Sequence, residues 1–381
     1  MAAACSVAAA DKKPVTLDGA DPDASYSSAV WTGDFLHLSG HLGGVPNKGI
    51  IGDIHAQTRQ TFANLKRVLV AAGLDYSRVV SVSVYLTDDR HYEALNEVFR
   101  EIFPEDAPTR ATVRTDLAAA SGFIEVSMVA ARRGLDIRRI HPEGWRPSRQ
   151  GFAYGMLAGD TLFVSGLVSS DPAKGGIVNG DIGVQMKQTL DNLGKVLAAA
   201  GMDYGDIVSN RVYLRDGRDF SGMNEIYRTV FSENPPTRAT VRAGVMHPDA
   251  RLEIHSVAVK DRAAGNTPAG SLIAPSVAAG GRQYLAGMTG RGPDGYAPGD
   301  VKAQTRQAVA RLKATLEAAG LGLEDVVEST VFLTDIRHFG AMNEIYRELV
   351  PGPRPARTTV GTALMSPDAL VEIMMIADAK K

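Results

Sequence analysis

The chain has 381 residues with 41 basic and 43 acidic side chains, a formal net charge of −2, and 44% hydrophobic and 22% charged residues. That length predicts two or three domains of ordinary globular composition. The charge balance gives no electrostatic drive toward nucleic acid or an anionic membrane, and no apolar run reaches the length of a membrane span.

The chain begins MAAACSVAAADKKP, which lacks the cationic start and the apolar bulk of a signal peptide and is expected to be a frayed tail. It holds the single cysteine, Cys5, so neither an internal disulfide nor a thiolate metal centre is available. This cysteine usage fits a reducing, cytoplasmic compartment. Beyond the tail, one unit is written three times. An early β run, Phe35 to Leu38, passes through Ser39-Gly40 into a Gly-rich loop. A helix is predicted from about His55 to Ala72, with Phe62, Leu65 and Leu69 on one face, and Gly73 stands where a left-handed C-cap belongs. Val80 to Tyr85 reads as a strand, a second helix carries Asn96-Glu97, and two further β runs flank the interval from Arg110 to Glu125.

The second copy repeats this with Ser165-Gly166, the helix face Leu190, Leu193 and Leu197, then Gly201, Asn224, Arg238 and Glu253. The third has Ala286-Gly287, Val309, Leu312 and Leu316, then Gly320, Asn343, Arg357 and Glu372. In every copy the Arg lies 37 positions after the Gly and 14 after the Asn, and the Glu lies fifteen after the Arg. A unit of this length is a domain with its own core rather than a solenoid repeat. The domains are expected at 11–133, 134–262 and 263–381, with a polar linker at about 132–150 and a shorter junction at 261–270. The pattern ββαβαββ predicts an α+β fold with helices on one face of a mainly antiparallel sheet. The other face also needs cover, so three tandem domains are expected to close into a pseudo-threefold assembly, sheets inward and helices outward.

Arg110, Arg238 and Arg357 each follow a Pro-containing turn and suit bidentate recognition of a carboxylate. Glu125, Glu253 and Glu372 sit in apolar strands. Each either faces away from its neighbours or is buried with a raised pKa, and the second case suits a group that handles a water proton. A retained ion pair is the structural alternative. Eight histidines show no metal-ligand spacing, and nucleophile-elbow, Walker and dinucleotide signals are missing.

The string PPTRATV…LEIHSVAV, with LFVSG, AAGMDYGDIV and FSGMNEIYRTVF upstream, resembles the RidA (YjgF-type) enamine/imine deaminase family, in all three copies. The resemblance implies three chorismate-mutase-like domains, a monomer equivalent to the family's trimer, and sites between repeats. It implies hydrolysis of 2-imino or 2-enamino acids to keto acids and ammonia, with neither metal nor organic cofactor. The carboxylate-binding Arg matches Arg110, Arg238 and Arg357, and the water-orienting Glu matches Glu125, Glu253 and Glu372. The helix Asn matches Asn96, Asn224 and Asn343. The ligand-binding Ser-Gly matches Ser39-Gly40 and Ser165-Gly166, with Ala286-Gly287 in the third copy. The family Tyr position holds Tyr26, Phe152 and Ile273, and a frequent Cys is replaced by Thr112, Thr240 and Thr359. Unequal sites are therefore expected. Two other readings stay open: a biosynthetic or catabolic enzyme specialised for a larger carboxylate, of the aminomuconate-deaminase kind or performing other cofactor-free chemistry, and a small-carboxylate binding protein without catalysis.

Overall fold

The computed structural model describes residues 12–17, 23–45, 48–260, 262–263, 265, 267–268 and 270–379. Three α+β repeats follow one another, each with two helices and a mixed sheet. The helices are α1 (Ile54–Ala71) and α2 (Tyr92–Ile102), α3 (Ile182–Ala199) and α4 (Phe220–Val230), and α5 (Val301–Ala318) and α6 (Phe339–Leu349). The long helix of each repeat starts on an Asp whose carboxylate accepts the N3 amide at 2.9 Å: Asp53 from Ala56, Asp181 from Val184, Asp300 from Ala303. This satisfies one of the amides that a helix start leaves without an intrahelical partner. Gly73, Gly201 and Gly320 follow each helix at φ +73°, a conformation that costs a side-chain-bearing residue about 1–2 kcal/mol.

In the first repeat Phe35–Leu42, Ile124–Ala131, Val79–Leu86 and Thr109–Arg114 lie side by side, with Ala29–Thr32 beyond the first. The Val79–Leu86 and Thr109–Arg114 pair is parallel, and the remaining pairs within this repeat are antiparallel. The predicted helix faces pack on this sheet: Phe62, Leu65 and Leu69, with their counterparts in α3 and α5, are all buried. Each such side chain contributes about 1.5–3 kcal/mol relative to exposure.

All eight residues of Val79–Leu86 are buried, which one layer of helices cannot achieve. Val82, Val84 and Leu86 face the helices, whereas Tyr85 and Val113 join Tyr213, Val241, Phe332 and Val360 in a cluster drawn from all three repeats. A bulge recurs at the same place in each central strand, and its residue, Val80, Val208 or Val327, turns into a cluster at a repeat boundary. Sheet edges are covered in rotation. Gly244–Val245 of the second repeat pairs with Thr109–Arg114 of the first. Val241 of the second bridges Leu364 of the third, and Ala356–Gly361 of the third pairs with Asp116–Leu117 of the first. Each repeat thus removes an exposed edge from another.

Where the three sheets face one another, His37, Arg211 and Glu328, one from each repeat, come together. Glu328 is hydrogen-bonded to His37, and the Arg211 guanidinium donates to it at 2.7 Å. Burial pushes Glu328 up, but the His37 bond and the Arg211 charge overcome it and hold the carboxyl at about 2.

Two expectations about segments between repeats need correction. Within the expected linker at 132–150, Ile137–Ile140 forms a strand that pairs with Gly155–Ala158 and extends the second repeat's sheet. Across the end of the expected frayed tail, which closes at Pro14, Lys13–Val15 pairs with Ala29–Thr32. Both are edge strands, and their short polar sequences carry little of the alternation that marks a half-buried strand. The tail's remaining residues up to Asp11, and parts of the 261–270 junction, lie outside the described residues.

Candidate active site

Each Arg opens a strand (Thr109–Arg114, Thr237–Arg242 or Ala356–Gly361) that lies parallel to the central strand of its own repeat. The Pro two residues earlier sets the boundary with another repeat. The Pro108 carbonyl accepts Ala153 N–H at 3.0 Å, Pro236 accepts Ala274 at 3.1 Å, and Pro355 accepts Ser27 at 3.1 Å. These contacts place Arg110 against the second repeat, Arg238 against the third and Arg357 against the first. Each Arg therefore meets the Glu of a different repeat, never the Glu fifteen residues along its own chain segment.

The three guanidinium groups are buried, with 2–4% of each residue exposed. One nitrogen is positioned by its own repeat: Arg110 Nη2–H donates to Asn96 Oδ1 at 2.6 Å, and Arg238 Nη2–H to Asn224 Oδ1 at 2.8 Å. Arg357 differs, donating from Nη2 to Ser25 Oγ at 3.0 Å, while Asn343 Oδ1 has no protein partner. Asn96 and Asn224 therefore position the Arg in two sites, and Asn343 makes no such bond in the third. Nε and Nη1 of Arg110 and Arg238, and Nη1 of Arg357, are buried donors without a protein partner. A buried donor left unpaired costs about 1–3 kcal/mol, so these nitrogens are poised to bind an anion.

Aromatic rings surround each cation. Arg110 lies 4.5 Å from the Phe99 centroid, 5.3 Å from Phe152 and 5.6 Å from Tyr92. Arg238 lies 4.5 Å from Tyr227 and 6.0 Å from Phe220. Arg357 lies 4.8 Å from Tyr346, 5.6 Å from Tyr26 and 5.8 Å from Phe339. Tyr26 thus lies beside Arg357 and Phe152 beside Arg110, pairings that the sequence leaves open. Tyr92, Phe220 and Phe339, and Phe99, Tyr227 and Tyr346, were missed. Their signal was available, since an aromatic recurs at both positions in every copy.

The carboxyl side of each site comes from the other repeat. Burial pushes Glu125, Glu253 and Glu372 up to about 8 in each case. Arg357 and the Thr359 amide oppose this at Glu125, the Thr112 amide and Arg110 at Glu253, and Arg238 with Arg311 at Glu372. Burial wins, so near neutral pH these groups are mainly carboxylic acids. The Thr112 N–H donates to Glu253 Oε1 at 3.2 Å. The hydroxyls of Thr112, Thr240 and Thr359 are buried and have no protein partner. A side chain at Gly40, Gly166 or Gly287 would overlap the Glu carboxylate, so those glycines make room for it.

The Ser-Gly pairs carry hydrogen bonds between repeats. Ser165 Oγ–H donates to the Ala153 carbonyl at 2.5 Å and accepts Arg110 N–H at 2.9 Å. Ser39 does the same with the Ser27 carbonyl at 2.6 Å and Arg357 N–H at 2.8 Å. The amides of Gly166 and Gly287 donate to the carbonyls of Arg110 and Arg238 at 3.0 and 3.1 Å. These donors clip one repeat to another beneath the site, and Ala286 cannot form the hydroxyl part of the clip. Ile273 precedes Ala274 as Phe152 precedes Ala153, so the Arg238 site has neither ring nor hydroxyl at those positions.

The Arg110–Glu253 cleft opens into a cavity of about 490 Å³. Among the described residues no group of three or more His, Cys, Asp or Glu side chains is arranged to hold a metal ion, and no helix is long and apolar enough to cross a membrane.

The sequence matches the family described as endoribonuclease L-PSP three times, over residues 17–132, 145–260 and 266–379. A 2-iminobutanoate/2-iminopropanoate deaminase of Rattus norvegicus is 37% identical over 125 residues, 32% of this chain and 91% of the relative. A RutC family protein of Pyrococcus horikoshii is 38% identical over 110 residues, 29% of this chain and 87% of the relative. The solved structure of the E. coli YjgF gene product has 28% identity, covers 32% of this chain and 98% of its own, and superimposes with a TM-score of 0.31.

Proposed function

The chain belongs to the endoribonuclease L-PSP family, and on that premise we propose that it hydrolyses 2-imino and 2-enamino acids to 2-keto acids and ammonia at clefts between its repeats. One observation carries this reading. A buried Arg with unpaired donors faces a buried Glu from another repeat, whose pKa burial raises, and this occurs three times. The family description names an endoribonuclease, but a formal net charge of −2 supplies no drive toward a polyphosphate backbone.

In the proposed reaction the Arg fork binds the substrate carboxylate and fixes the imine carbon near the Glu. Glu protonates the imine nitrogen, making the carbon more electrophilic. The resulting carboxylate takes a proton from water as the water oxygen bonds to that carbon, giving a carbinolamine. Proton transfer to the amine nitrogen lets ammonia leave as the C–N bond breaks. Glu, reprotonated by the water, gives that proton to the amine and takes back the hydroxyl proton as C=O forms, so imine and water become keto acid and ammonia. The unpaired Thr hydroxyl beside the Glu orients the water. Acid–base assistance of this kind contributes about 10²–10⁴-fold, enough for a bond that hydrolyses readily unaided.

The sites are unequal in this reading. The Arg357–Glu125 site, with Tyr26 and Ser39, carries simple deamination. Phe152 alters the Arg110–Glu253 site, and Ile273 with Ala286 alters the Arg238–Glu372 site. Three repeats in one chain supply one another's interfaces, so the chain acts as a one-chain trimer.

The test is keto-acid release in a coupled dehydratase assay that generates 2-aminoacrylate. Acceleration by the chain, abolished when the three Glu residues are changed together to Gln, is expected. Binding of keto acid without acceleration would instead favour the non-catalytic reading.

A further inference from the structure

The segment from Glu125 to Ser165 spans 40 positions against 33 from Glu253 to Ala286, and this longer first junction becomes the outer wall of the Arg110–Glu253 cleft. The junction is built into the site. Arg146 N–H donates to the Pro172 carbonyl at 3.0 Å, and its Nη1–H to the Lys174 carbonyl at 2.9 Å. Lys174 lies on a hairpin that closes on itself. Asp171 N–H donates to Gly176, Ser170 bridges Ile177, and the Asp171 carboxylate accepts the Ala173 and Lys174 amides at 3.1 and 3.0 Å. The hairpin, the junction and the catalytic pair line one continuous cavity of about 490 Å³.

Cations predominate along that wall. Arg146, Arg149 and Lys174 all line the cavity beyond Arg110. The acid beside them, Asp171, is turned into its own loop and reaches Lys174 only as an exposed pair at 3.9 Å. An exposed pair of that length is worth little and does not neutralise the wall. A monocarboxylic imino acid uses Arg110 and leaves the outer cations unmatched.

We infer that the Arg110–Glu253 cleft takes a dianionic acid, one whose side chain ends in a second carboxylate that pairs with the Arg149 and Lys174 wall. This rests on the carboxylate-clamp role proposed for Arg110, and it assigns this site a substrate class apart from that of the Arg357 site. Phe152 fits the assignment, because an apolar ring there packs the methylene chain between the two carboxylates.

The experiment compares two five-carbon acids that differ only at the far end, 2-oxoglutarate and 2-oxopentanoate, by calorimetry on the full chain. The fluorescence of Trp145, which packs on the cavity residue Tyr154 with ring centroids 4.7 Å apart, is followed in parallel. At low salt 2-oxoglutarate is expected to bind about tenfold more tightly. That ratio should fall toward one in the Arg149→Gln/Lys174→Gln double variant and as ionic strength rises. Equal or weaker binding of 2-oxoglutarate overturns the inference, as does a preference that persists in the double variant. Because the readout is equilibrium binding, a chain that prefers the dianion yet releases no keto acid from imines would sink the deaminase reading and leave this one standing.

Discussion

Replacing Glu253 by Gln tests the central electrostatic claim. Gln keeps the shape and can still accept the Thr112 amide bond, but it cannot ionise. Glu253 is 5% exposed, and burial raises its pKa from an ordinary 4.5 to about 8. A group raised in the folded state holds its proton there while the unfolded chain has already lost it. Its contribution to stability is full below pH 4.5 and is lost progressively as pH rises through about 8. Each pKa unit corresponds to about 1.4 kcal/mol, so the whole shift carries a ceiling of about 5 kcal/mol. In urea denaturation at pH 5, 6, 7 and 8, the Gln variant should gain on the parent by about 1.4 kcal/mol per pH unit and level off above pH 8. Its Arg110 site should lose imine hydrolysis over the same range. Parallel stability curves for variant and parent would mean that Glu253 is an ordinary ionised carboxylate, and the acid role would fall with them.

Other perturbations separate the parts of the site. Gly166→Ala puts a methyl where the Glu253 carboxylate lies and should cost about 1–3 kcal/mol while displacing the acid, seen as lower stability together with lost turnover at that site. Ser165→Ala leaves the Arg110 amide unpaired and should cost about 1–3 kcal/mol, whereas Ala286→Ser should stabilise the boundary between the second and third repeats by about 1 kcal/mol; denaturation midpoints of the two variants would move in opposite directions. Single Arg→Ala variants at 110, 238 and 357 should give unequal losses on 2-aminoacrylate, largest at Arg357, and losses of about one third each would refute unequal sites. Glu328→Gln breaks the His37–Arg211–Glu328 contact and should cost about 3–5 kcal/mol near neutral pH. In the parent this contribution is present above pH 4.5 and is lost as pH falls through about 2, so an acid-unfolding series on both proteins measures it.

Much of this arrangement is legible in the order of residues. Helical spacing at Phe62, Leu65 and Leu69 marks a buried face because every third or fourth residue of a helix points the same way. Gly73, Gly201 and Gly320 mark helix ends because the left-handed turn penalises a Cβ. The edge strands at Lys13–Val15 and Ile137–Ile140 are not legible, since one exposed side and a short length leave little pattern. The His37–Arg211–Glu328 cluster is invisible to repeat alignment on different grounds: its members occupy non-equivalent positions in the three copies, so no recurrence announces them.

Three copies of an α+β unit, the Arg and Glu that recur in each, and the losses at Ile273 and Ala286 are already present in the amino-acid order. Folding in three dimensions is what makes Arg110 answer to Glu253, and Arg357 to Glu125, rather than each to the Glu fifteen residues away. It also assigns the Ser hydroxyls to boundary clips, and it buries the Glu carboxyls deeply enough to keep their protons. One cause lies behind all of these. A side chain's partner, dielectric surroundings and protonation are set by what packs across the sheet, and in this chain the material that packs there belongs to another repeat.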